Sequence, residues 1–67
     1  MNQEIRDKMI AYLQSMMDKV KRYEAKGVPT EFLEDRIDAM IACKEMVEAF
    51  IGEPVNLQKD GKVTVGF

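Results

Sequence analysis

Histidine and tryptophan are absent from this chain, and cysteine occurs once, at Cys43. A single thiol excludes any disulfide within the chain, and the lack of histidine removes the usual cysteine–histidine zinc sites. A catalytic cysteine needs its pKa lowered by a histidine, a helix N-terminus or cationic neighbours. Cys43 stands midway along an apolar row, and Lys44 beside it projects about 100° away around a helix. Cys43 therefore reads as a small hydrophobe. No apolar run approaches the ~20 residues that span a bilayer, so no membrane partner is expected. Neither sign of charge dominates: 12 acidic residues face 10 basic ones, for a net charge of −2. That balance is too even for a general nucleic-acid binder and too weakly acidic for a mimic of DNA. The start of the chain, from Met1 to Lys8, alternates charges and carries no signal-peptide core. With a lone free thiol, this points to a reducing, cytoplasmic setting.

Sixty-seven residues, 46% of them apolar and 33% charged, describe one small globular domain over residues 1–67. A chain of about 60 residues buries only about 60% of the surface it exposes when unfolded. Scaffolds this small add disulfides, a metal or oligomerisation. The first two are missing here, which leaves association.

The periodicity predicts a first helix over residues 3–26. Ile5, Met9, Leu13, Met16, Val20 and Tyr23 recur at spacings of four and three. Asn2 suits its N-cap, and Gly27 suits a left-handed C-terminal stop with Val28 packed back on Tyr23. Pro29 ends that helix, and Thr30 is expected to cap a second one over residues 30–51, closed by Gly52 and Pro54. So short a connection makes the helices antiparallel neighbours. Lys19, Lys21, Arg22 and Lys26 of the first would then lie beside Glu31, Glu34, Asp35 and Asp38 of the second.

The second helix carries more apolar surface than one neighbour can cover. One row is Leu33, Ile37, Met40, Val47 and Ile51; the other is Phe32, Ala39, Cys43, Met46 and Phe50. With Ile41 they span roughly 220° of the helical wheel, where an ordinary surface helix shows a little over ~100°. One row can pack on the first helix. The other needs the C-terminal segment or a second molecule. Phe32, Cys43, Met46 and Phe50, with the terminal Phe67, are therefore the expected interface residues.

The period changes to two over residues 55–67. A loop with Gly61 left-handed in a bulge pairs Val55 with Val65 and Leu57 with Val63, placing all four on one face of a β-hairpin. A two-residue turn at Asp60-Gly61 would scatter them over both faces. The fold class is thus α+β in the order ααββ, with a dimer expected because a lone hairpin is marginal in water. The C-terminal strand could offer a free edge to a partner, while Phe67 could either anchor elsewhere or cap its own core.

The remaining patterns carry weaker readings. Glu31, Glu34, Asp35, Asp38, Glu45 and Glu48 have spacings that suit a divalent cation in a metal-dependent phosphohydrolase, yet most cluster opposite the apolar rows and read as a solvated face. The basic end of the first helix suits a nucleic-acid accessory protein, or simply favourable charge at a helix C-terminus. Arg36 and Lys44 interrupt the apolar face. They either snorkel, or pair with carboxylates across a subunit seam. Five methionines on apolar arcs (Met9, Met16, Met17, Met40 and Met46) fill a core or supply an adaptable docking surface. No residue is assigned to catalysis, a metal or a cofactor. The leading expectation is a non-enzymatic cytoplasmic adaptor or inhibitor, of the kind bacteria and phages encode. It would act on a protein target and form a homodimer or higher homo-oligomer.

Overall fold

A computed structural model describes residues 2–67 of the chain. Two helices are followed by a two-stranded antiparallel sheet, an α+β arrangement. The first helix, α1, covers Gln3–Ala25. The Asn2 side chain accepts the Glu4 N–H at 2.7 Å, satisfying one of the orphan donors of the first turn. The helix stops in a Schellman arrangement. Val28 N–H bonds the Tyr23 carbonyl and Gly27 N–H bonds the Glu24 carbonyl, with Gly27 at φ 85°.

The second helix begins differently from expectation. Thr30–Phe32 form a single 3-10 turn, and the α-helix proper, α2, covers Glu34–Ile51. Thr30 makes no side-chain capping bond; its carbonyl accepts the Leu33 N–H instead. A 3-10 turn advances about 120° per residue rather than 100°. That re-phases the entry to α2 and sends the Leu33 side chain into the interior, where it is buried. A left-handed Gly52 closes α2.

Strands β1, Val55–Leu57, and β2, Val63–Val65, pair in the expected register: Val55 opposite Val65, Asn56 opposite Thr64, Leu57 opposite Val63. Gln58 N–H bonds the Lys62 carbonyl, and Gly61 N–H bonds the Gln58 carbonyl. Gly61 sits at φ 95°, and the Asp60 carboxylate accepts the Lys62 N–H. This is the bulged three-residue loop that puts the four apolar side chains on one face.

The core lies where the hairpin meets both helices. Leu13, Met17 and Val20 of α1, Met40 and Val47 of α2, and Val55 of β1 form a buried cluster, with Ile37, Ile51, Leu57, Val63 and Val65 packed around it. Strand β2 contacts α1, and β1 contacts α2. The hairpin therefore lies across the seam of its own two helices.

Candidate interaction surface

Two polar side chains fix the hairpin to one side of the helices. Gln14 of α1 donates to the Gly61 carbonyl at 2.7 Å and accepts the Val63 N–H at 2.9 Å. Its amide thus pairs with β2 much as a further strand would. Glu48 of α2 accepts the Val55 N–H at 2.8 Å, and Lys44 at 3.1 Å. These bonds hold the Glu48 carboxyl below its ordinary value of 4.5; the Val55 N–H is the larger cause and Lys44 the second. One outward-facing N–H on each strand is occupied in this way. That narrows the edge the C-terminal strand was expected to offer, because helix side chains blunt both edges at these points.

The opposite flank of the helices is bare. At 100° per residue, Tyr12 and Ile5 lie on the side of α1 away from Gln14, and Met46 and Phe50 on the side of α2 away from Glu48. Ile5 is 51% exposed, Tyr12 62%, Met46 63% and Phe50 61%. With Lys8, Met9, Cys43 and Val47 they line a groove of about 330 Å³ between the helices. A second hollow of about 280 Å³ continues along the same seam from Tyr12, past Met16 and Ala39, to Lys19 and Arg36. The two share Tyr12 and form one largely apolar channel on the face the hairpin leaves uncovered.

Cys43, Met46 and Phe50 thus come together as expected, joined by Ile5, Met9 and Tyr12 of α1. Phe32 and Phe67 do not join them. Phe32 stands in the 3-10 turn, 72% exposed and outside the channel, since the turn takes it off the helical wheel on which it was aligned. Phe67 is fully exposed at the chain end, so it does not cap its own core. Cys43 is half-buried on the channel floor.

The charged residues also depart in part from expectation. Among the described residues no ion pair joins the basic end of α1 to the acidic start of α2. Lys21 pairs with Glu24 on its own helix, and Arg6 reaches Glu53 at 2.8 Å. Side chains at the far ends of flexible stems gain little from a solvated pair and lose rotamer freedom in making one. Arg36 stacks over the Tyr23 ring at 4.9 Å, and Lys44 pairs with Glu48. Both therefore find partners within the chain. Among the described residues no group of three carboxylates or thiols is placed to hold a metal ion, and no helix is long and apolar enough to cross a membrane. Glu31, Glu34, Asp35, Asp38 and Glu45 are exposed, whereas Glu48 turns to the hairpin.

Sequence reasoning missed Gln14 and Glu48. Each lies on the hairpin side of its helix, next to buried neighbours, and that position was the only available signal. No family model, no curated protein and no solved structure matches this chain.

Proposed function

We propose that this protein works without catalysis, by docking protein surface on the channel face between α1 and α2. The observation that carries the reading is the run of exposed apolar side chains from Ile5 and Phe50 to Tyr12 and Met46. At roughly 200 Å² for each large side chain, their exposed shares amount to about 500 Å². That lies at the upper end of what a monomer shows as its largest apolar patch, and such patches mark interaction sites. Met9, Met16 and Met46 add side chains that repack on an irregular partner. Lys8 and Lys19 stand at the margin of the channel, the polar rim that surrounds the apolar centre of an interface. The reading describes a small cytoplasmic adaptor or inhibitor that assembles through this face.

The test is a matched pair of purified proteins, wild type and Phe50→Asp. Phe50 is exposed, so the substitution leaves the core intact, while a carboxylate in the channel opposes any apolar occupant. Helicity is expected to be retained. Self-association and capture of protein from a native lysate are both expected to be lost. Unchanged assembly and unchanged capture by Phe50→Asp would overturn the reading.

A further inference from the structure

We infer that the occupant of the channel face is a second copy of this chain, packed about a two-fold axis that runs parallel to the helices. The inference rests on reading this face as a docking surface, and adds what docks there and in which orientation.

The charges at the two edges of the face carry the argument. The channel linings set the helices level with one another: Ile5 and Met9 stand beside Phe50 and Val47, and Lys19 beside Arg36. Lys19 and Arg22 lie on the outer edge of α1, beyond Tyr12 on the helical wheel. Asp35 and Asp38 lie on the outer edge of α2, beyond Met46, at nearly the same level. All four are exposed, and none belongs to an ion pair among the described residues. One edge is thus basic and the other acidic, at matching height.

Only one of the two simple face-to-face arrangements uses this. An axis parallel to the helices sets α1 of each copy over α2 of its partner and keeps the levels. Lys19 and Arg22 then meet the partner subunit's Asp35 and Asp38, and symmetry makes the contact twice. An axis perpendicular to the helices within the interface sets α1 over α1 and α2 over α2 with the levels reversed, which carries Lys19 and Arg22 away from the partner subunit's Asp35 and Asp38. The net charge of −2 opposes association little. The parallel arrangement joins two helical hairpins into a four-helix layer with a β-hairpin on each outer side. Its apolar centre would take about 500 Å² from each copy. The charged edges, the half-buried Met16 and Cys43 and the exposed Ala39 would bring this toward the roughly 800 Å² per partner of a stable interface.

The experiment uses two charge-reversed full-length chains, Lys19→Glu with Arg22→Glu, and Asp35→Lys with Asp38→Lys. Sedimentation measures their dimer affinities. Each chain alone places like charges at both symmetric contacts, and its dimer is expected to weaken about tenfold or more relative to wild type. Mixing the two makes every contact complementary, so a one-to-one heterodimer of near wild-type affinity is expected. A chain carrying all four reversals should dimerise with itself, which keeps the test decisive if either partial variant folds poorly. A wild type that stays monomeric at about 200 µM overturns the inference. So do reversed chains that dimerise like wild type, or mixtures that associate no better than their components. In each of these cases, the Phe50→Asp comparison of lysate capture still decides separately whether the face docks other proteins.

Discussion

Gln14 shows how much one polar side chain can decide in a chain this small. Its amide makes two hydrogen bonds to backbone groups 47 and 49 residues away, at Gly61 and Val63, and a third to Asp18. Leucine has nearly the volume of glutamine but can make none of these bonds. In Gln14→Leu the Val63 N–H and the buried Gly61 carbonyl would lose their partners, at a cost of about 1–3 kcal/mol. The chemical-denaturation midpoint should fall accordingly. Amide exchange at Val63 should accelerate more than exchange at core positions of α1 such as Leu13, because the hairpin detaches locally before the whole molecule opens. Equal acceleration throughout would mean that Gln14 acts only on global stability. In the sequence, only its place beside Leu13 and Met17 hints at this role. A glutamine on an amphipathic helix ordinarily faces water, and its partners are backbone atoms, which carry no sequence signature.

At the scale of elements, the joints between helix and hairpin decide the architecture. Glu48 links α2 to the first residue of β1 through the Val55 N–H, and its carboxyl is held below the ordinary value of 4.5 chiefly by that bond. A carboxyl with a lowered pKa in the folded state contributes stability above its unfolded value and loses it as pH falls through the folded value. The wild type should therefore lose stability on acidification from about pH 5 downward. Glu48→Gln should show a shallower loss over the same range, measured as denaturation midpoints at successive pH values. An identical slope in both proteins would place the acid sensitivity elsewhere. The elements themselves were legible because their signals are local. Alternation in Val55-Asn56-Leu57 and Val63-Thr64-Val65 fixes which face is buried, and Gly61 supplies the left-handed residue that makes the register possible. The Schellman stop at Gly27 was equally plain. The start of α2 was not. Thr30 has the chemistry of a cap, but burial of Leu33 is met by a 3-10 turn, and tertiary packing overrode the local preference. Phe32 left the predicted interface row for the same reason. The expected pairing between the basic and acidic helix ends failed as well, because sequence places charges near one another without showing whether their solvated ends meet.

For the whole molecule, the controlling feature is that the hairpin can cover only one side of the helix pair. Gln14 and Glu48 commit it there, and Ile5, Tyr12, Met46 and Phe50 stay in water. If a second copy covers them, folding and association are linked, and apparent stability depends on concentration. Each tenfold rise in protein concentration adds about 1.4 kcal/mol per dimer to the folded side. For a pair of chains of this size that corresponds to a rise in Tm of about 5 °C. Scanning calorimetry from about 10 to 1000 µM should therefore show Tm climbing by about 10 °C in the wild type. Phe50→Asp should show a Tm that does not move with concentration. The slope separates a monomer with an exposed patch, whose Tm is flat, from a protein whose native state is completed by its twin. A flat wild-type profile would mean that the hairpin and seven buried side chains, Leu13 and Val55 foremost, sustain the fold without help.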